Sequence, residues 1–496
     1  MKIVYVIFDS LNQRFLPGGS NTWVKAHNFE RLEQHTVRFD RAYVGSMACM
    51  PARREMHTGR YNFLHCPWGP LEPFDESFLD RLNDVGVHSH LVTDHPHYFS
   101  EGGSTYHTRF ATWEFERGQE GDPWKGVVDR SDMVPALGRT MSNDQPRSLW
   151  DQEFVNRAYR NSEADYPHAK TFARGLEFIE TNHDADSWFL QIETFDAHEP
   201  FHTPERIRSI YPRPIEDEFA DWPTYGRTSV SKEMETHWRY SYAASITMID
   251  EALGSLLDLF DQHDLWSDTM LVVGTDHGFL LGEHDWWGKN LPPWYNEIAH
   301  VPLYIWDPRS ARAGEHRDSF VQTIDLAPTF VSAFDLPALQ YAQGVNLANT
   351  IANDSPARTS GIFGAFGGAL NYTDGKSVYM RAPLSFDDKP FRYTLMPMNI
   401  RSPVAPETLR SATLSEPFAF TQGAPMLRFQ NEPWGAITEA ETMYFDLETD
   451  PAQENNLVAD MDISETEEKL AEILRETEAP DELYERYGLG EHRPDR

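Results

Sequence analysis

Cys49 opens the string Cys49-Met50-Pro51-Ala52-Arg53-Arg54-Glu55-Met56-His57-Thr58-Gly59-Arg60, which reads as a short helix with a nucleophile at its start. Pro51 suits a first helical turn, where its fixed φ helps and its missing N–H costs nothing. Gly59 is the residue expected just past a helix end. Cys49 then falls near the N-cap, where free backbone N–H groups and the helix dipole favour an anion. Arg53, one turn on, adds a permanent cation to the same face. A second set of reactive types is Asp9, Asp276 and His277, each acid following an expected strand. With a phosphate or sulfate oxygen held beside Cys49, these residues could ligate one metal ion. Hard carboxylates fit Ca²⁺, Mg²⁺ or Mn²⁺, and an imidazole moves the balance towards Mn²⁺ or Zn²⁺. Such an ion would polarise a bound ester and acidify a coordinated hydroxyl.

The elements that must position these groups alternate between apolar runs and helical periodicity. Ile3–Phe8 reads as a first core strand, 29–35 as a helix and 36–43 as an extended return. Residues 187–194 read as a strand ending just before Asp196 and His198. A long helix follows around 240–260, with Ile246, Ile249, Leu253, Leu256 and Leu257 at helical spacing. Met270–Gly274 is then a strand ending at Thr275-Asp276-His277-Gly278. The expected fold is α/β: a large, mainly parallel sheet sandwiched by helices, with polar clusters past the strand ends, where open sheets place their ligands. Residues 1–355 form the expected catalytic domain, with a loop-rich insertion at about 99–166 that holds Trp113, Trp124 and Trp150, candidates to line a sugar or aryl pocket. Residues 356–496 form a smaller sheet-plus-helix domain. Its last helix starts at Ser464, with Glu467 completing a capping box, and could dock on a partner subunit in a homo-oligomer.

Composition narrows the class. Lys and Arg number 43 against 78 Asp and Glu, a net charge of −35, which disfavours nucleic acid and anionic membranes as partners. An anionic substrate must therefore be drawn by local cations. Two cysteines, Cys49 and Cys66, make no disulfide framework, although they could pair. The apolar start is too short for a secretory leader, and no run reaches transmembrane length, so a cytoplasmic enzyme is the default expectation.

The Cys49 string, C-x-P-A-R followed by T-G-R, resembles the signature of the sulfatases, in the alkaline phosphatase superfamily. The likeness extends along the chain. Asn28-Phe29-Glu30-Arg31-Leu32 is similar to the family's P-N-L-D-R-L-A helix, Arg41-Ala42-Tyr43 to the segment before its nucleophile, and Asp196-Ala197-His198-Glu199-Pro200-Phe201 to its D-x-H-x-P-[FY] motif. Thr275–Gly278, Gly282-Glu283-His284 and Trp287-Gly288-Lys289 resemble its T-S-D-H-G…G-E-H…G-K run, and the segments beginning at Ile324 and Tyr444 resemble its later motifs.

This resemblance implies that a maturation enzyme oxidises Cys49 to Cα-formylglycine, both nucleophile and metal ligand, with Asp9, Asp276 and His277 as the other ligands of one divalent ion. The hydrated aldehyde attacks sulfur and the alcohol leaves. Loss of the second hydroxyl proton then expels sulfate and restores the aldehyde. Arg53 would hold the hydrate and its helix, while Lys289 and His198 bind the transferred group and serve the leaving oxygen. The substrate implied is a small-molecule or sugar sulfate ester.

Two departures stand out. Ser10 replaces a second Asp after the first strand, and the family's G-K-W-H segment has its nearest counterpart in Thr93-Asp94-His95-Pro96-His97-Tyr98. His95 or His97 would take the substrate-binding role there, with Asp94 standing awkwardly where a cation is usual. These departures keep open a formylglycine-dependent phosphonate monoester or phosphodiester hydrolase, and a non-catalytic binder of sulfated ligands. A two-metal alkaline-phosphatase-like site lacks the additional ligand clusters it would need.

Overall fold

Every residue of the strand Lys2–Phe8 is buried, with Ile3, Tyr5 and Ile7 entering one apolar layer and Val4, Val6 and Phe8 the other. A strand buried on both faces belongs at the centre of a helix-covered sheet. The computed structural model describes residues 1–134, 147–216, 220–433 and 440–493. In it an 8-stranded sheet runs in the order Glu315–Arg317, Val37–Phe39, Leu303–Trp306, Thr269–Gly274, Lys2–Phe8, Trp188–Thr194, His88–Thr93 and Thr112–Phe115. All of its strands run parallel except Leu303–Trp306. One face carries the helices His27–His35, Pro167–Asn182 and Lys232–Gln262; the other carries Met50–Thr58, Phe78–Asp84 and Leu326–Ala333. Asp250 of the long helix accepts from the backbone N–H groups of Asn28 and Phe29, closing the start of His27–His35.

The expected mainly parallel sheet between helices is present, and so is a smaller C-terminal sheet. Its strands Gly361–Gly364, Leu370–Thr373, Ser377–Arg381 and Met443–Asp446 pair antiparallel. The helix Ser464–Glu476 lays Leu470, Ala471 and Leu474 against Ile362, Leu370 and Tyr379, so its apolar stripe is covered by its own chain rather than left for a partner. The capping box at its start does not form. Ser464 donates to Asp462 Oδ1 through both its N–H and its hydroxyl, while the Glu467 carboxylate accepts from the Tyr379 hydroxyl at 2.8 Å. A tertiary partner has taken the residue that the local signature needs. Nor is this helix the last, because Asp481–Arg486 follows.

The segment read as an insertion contributes Thr112–Phe115, the edge strand of the main sheet. Trp150 meets Trp222 at 4.0 Å, Trp124 lies under the Lys125 ammonium at 4.1 Å, and Trp113 is half-exposed on the edge strand. Residues 135–146 of that segment lie outside the described residues. Among the described residues, no helix is long and apolar enough to cross a membrane.

The helix after Cys49 has the expected limits, Met50–Thr58, with Cys49 at the N-cap, Pro51 in the first turn and Gly59 left-handed at φ 65°. Each of its residues is buried. His57 meets Ser77 Oγ at 3.0 Å among the rings of Phe78, Tyr106 and Phe110. Burial, reinforced by Arg109, pushes its pKa down to about 3. The unfolded chain takes up a proton near pH 6.5 that the folded chain refuses, so stability from this group is lost as pH falls below that value. Between pH 7 and pH 5, wild type should lose about 2 kcal/mol more than His57→Gln in urea unfolding. Equal losses would show that the imidazole is protonated in the folded protein.

Candidate active site

Register brings the site together. Phe8 pairs with Thr194, Ile7 with Gly274, and Thr93 with Glu193, so four strands end nearly flush. The residues that follow these ends are Asp9-Ser10, Thr275-Asp276-His277, Asp94-His95 and Phe195–His198. Cys49 meets them from above at φ 51°, ψ −102°, a backbone conformation that costs an L-residue about 1–3 kcal/mol. Asp9, Cys49, Asp276 and His277 are all buried, and one donor atom from each lies within 4.8 Å of the others.

The local chemistry of these donors suits a cation. His277 Nδ1–H donates to Gly278 O at 2.9 Å, which turns Nε2 towards Cys49 Sγ (3.5 Å) and Asp276 Oδ2 (3.2 Å). A ligating imidazole is normally oriented by just such a bond from its other nitrogen. Burial holds the His277 pKa below its ordinary value, so the ring is neutral and able to ligate. Gly278 is required for space: a Cβ there would lie 2.0 Å from Glu297 O. Burial pushes the Cys49 thiol well up, with Asp9 and Asp276 adding to the shift against Lys289 and Arg53. As a plain thiol, Cys49 is a poor nucleophile here.

Arg53 donates to three buried carboxylates at once. Its Nη2 donates to Asp9 Oδ2 at 2.8 Å, its Nε to Glu193 Oε1 at 2.9 Å, and its Nη1 to Asp276 Oδ2. Glu193 also accepts from Tyr98 and Gln191. Sequence reasoning missed Glu193, although a carboxylate in the buried run Trp188–Thr194 is itself a signal.

Lys289, carried in by the short strand Trp286–Gly288, donates to Ser10 Oγ at 2.9 Å and lies 3.6 Å from Asp9 Oδ1. Ser10 Oγ in turn donates to Asp9 Oδ1 at 2.7 Å. Burial alone would lower the Lys289 pKa, but Cys49, Asp9 and Glu199 raise it above its ordinary value. Asp9, for its part, is held well below the usual carboxylate range by Lys289 and Arg53 despite burial. Ser10 is thus a relay between ammonium and carboxylate. Ser10→Ala should lower kcat/KM by about 10- to 100-fold, the effect of an unmet buried charge-assisted bond, with stability changed by less than the 3 kcal/mol ceiling for such a loss. An unchanged kcat/KM would remove the relay from the account.

His198 and the histidines of the third strand end complete the wall. His198 Nδ1–H donates to Glu199 O at 2.6 Å, and burial pushes its pKa down to about 3. His95 Nε2 lies 3.6 Å from Asp9 Oδ2. His97 Nε2 lies 3.1 Å from Glu120 Oε2, a buried acid that the sequence reading did not single out. Asp94 does not face the site as a misplaced charge: its Oδ1 accepts from Phe195 N at 2.7 Å, and burial, aided by Asp196, raises its pKa well above 3.8. A cavity of about 770 Å³ opens beside His97 and Glu120, bordered by Phe99, Phe115, Arg117 and Arg401. Both cysteines are free thiols, and Cys66 is held by an Arg54 N–H at 2.7 Å rather than paired.

A family model described as sulfatase matches residues 2–336. The chain is 20% identical to an N-acetylglucosamine-6-O-sulfatase of Bacteroides thetaiotaomicron, over 96% of this chain and 86% of that protein. It is 24% identical to a choline-sulfatase of Rhizobium meliloti, over 82% and 84%. The phosphonate monoester hydrolase of Agrobacterium radiobacter shares the fold, with a TM-score of 0.66 at 17% identity over 96% of this chain and 95% of the other. Because that family model covers residues 2–336, about two-thirds of its length, this chain belongs to the sulfatases and is a sulfuric ester hydrolase.

Proposed function

We propose that the site cleaves sulfate esters of small alcohols or sugars, using formylglycine at position 49 and one divalent ion held by Asp9, Asp276, His277 and that same position. The observation that carries this reading is the buried convergence of those four donors beside Lys289 and His198. The ion, when bound, supplies Lewis acidity to the ester oxygens. Formylglycine supplies a geminal diol, whose second hydroxyl lets the sulfated adduct collapse without water attacking sulfur.

The remaining steps belong to side chains in place. Arg53 fixes the two ligand carboxylates and helps hold Asp9 in its charged form. Lys289 offers its ammonium to the sulfate oxygens while Ser10 holds it. The tautomer of His198 leaves Nε2 free, and an arriving anion raises the imidazole pKa. The proton taken up at Nε2 then passes to the leaving oxygen. His95 and His97 line the sulfate side, and the cavity beside Glu120 receives the leaving group. Position 49 is 3% exposed, so a maturation enzyme must reach it before the helix packs.

A second reading rests on one observation: Ser10 removes a carboxylate, leaving a site that also suits a singly charged phosphorus ester. The deciding comparison is kcat/KM for an aryl sulfate against the matching phosphodiester and phosphonate monoester, with protein co-produced with a maturation enzyme and Cys49→Ala as blank. A sulfate preference of about tenfold or more, roughly 1.4 kcal/mol in the transition state, is expected. A preference for phosphorus would install the second reading.

A further inference from the structure

At the opposite end of the sheet from the active site, Glu180, His183 and His263 bring one donor atom each within 4.8 Å of one another. Glu180 and His183 lie at i and i+3 at the end of the helix Pro167–Asn182, with His183 still in helical geometry at φ −57°, ψ −31°. His263 closes the helix Lys232–Gln262. The two helix ends therefore meet at this cluster, near Lys2, whose ammonium donates to His183 O at 2.7 Å and is balanced by Asp268 at 2.8 Å. A seven-residue strand puts this cluster roughly 20 Å from the catalytic carboxylates.

We propose that Glu180, His183 and His263 form a surface site for a borderline-soft divalent cation of the Zn²⁺ class. The donor set, two imidazoles and a carboxylate, is one that zinc selects. His183 Nδ1–H donates to Glu180 O at 2.9 Å, so its Nε2 carries the free lone pair, held by an outer-shell bond of the kind metal-ligating histidines make. His263 Nε2 lies 3.0 Å from Glu180 Oε2, close to the edge of about 3.3 Å expected for two ligands on one tetrahedral zinc. The imidazole rings lie face to face with centroids 4.0 Å apart. Asp184 Oδ2, 3.5 Å from His183 Nε2, is at hand as a fourth ligand. The side chains are 48%, 28% and 15% exposed for Glu180, His183 and His263, which gives an ion a way in. A bound Zn²⁺ would clip the two helix ends together.

The test uses the full-length protein with its catalytic site loaded with Ca²⁺, titrated with Zn²⁺ against a chromophoric chelator. Wild type should take up one equivalent more than the His183→Ala/His263→Ala double variant and gain several degrees in Tm that the variant does not gain. Glu180→Gln alters an exposed side chain, keeps the fold testable if the double variant misfolds, and should bind about tenfold or more weakly. Equal stoichiometry and equal Tm gain in wild type and variants would overturn the site. No readout uses ester hydrolysis, so this result stands apart from the sulfatase reading.

Discussion

Arg53→Met is expected to destabilise the folded protein by about 3–5 kcal/mol, the cost of breaking a buried ion pair from one side. The reason is the company Arg53 keeps. Asp9, Glu193 and Asp276 are fully buried, and this one guanidinium donates to all three. Without it, carboxylates brought within a few ångströms by sheet register face each other in a poorly hydrated pocket. Arg53→Lys should recover only part of the loss, because a point-like ammonium cannot meet three acceptors spread around a planar fork. Urea unfolding of the metal-free proteins is the measurement. A loss under about 1 kcal/mol for Arg53→Met, the value of a surface pair, would mean that the carboxylates do not depend on Arg53.

Cys49→Ala carries the largest expected effect on turnover and almost none on folding. The thiol is small and buried, and replacing it with a methyl group should move stability by no more than about 1 kcal/mol. Activity should fall by about 10⁵-fold or more, because covalent catalysis removed at its nucleophile leaves only binding and charge stabilisation by the groups around it. Lys289, Ser10 and His198 keep their partners in this variant, so KM should change far less than kcat. A stable Cys49→Ala protein retaining a tenth of wild-type kcat would exclude position 49 as the nucleophile.

The elements holding these two residues differ in how openly the sequence announces them. Pro51 and Gly59 bracket the helix after Cys49 with local signals, since each acts through its own backbone. Asp9 and Asp276 are legible because each follows an apolar run, and strand ends collect ligands in parallel sheets. The cage around Arg53 is not legible from spacing. It depends on Ile7 standing opposite Glu193, a register between strands 186 residues apart. Ser10 looked like a lost ligand because the relay from Lys289 joins residues 279 apart in the chain. Glu467 fails in the other direction: its local capping pattern is sound, but the Tyr379 hydroxyl offers the carboxylate a partner that only folding provides. Asp94 likewise looked misplaced by charge until Phe195 N–H and burial gave it a structural role.

The central claim is that sulfate-ester turnover runs through the oxidised form of position 49. The most direct test measures, across preparations made with varying amounts of maturation enzyme, the fraction of the Cys49 peptide carrying the aldehyde by mass spectrometry. The same preparations are assayed for inorganic sulfate released per molecule from an aryl sulfate. The account predicts a straight line through the origin, with no turnover where the thiol is wholly intact. Full turnover from protein whose Cys49 is unconverted would contradict it.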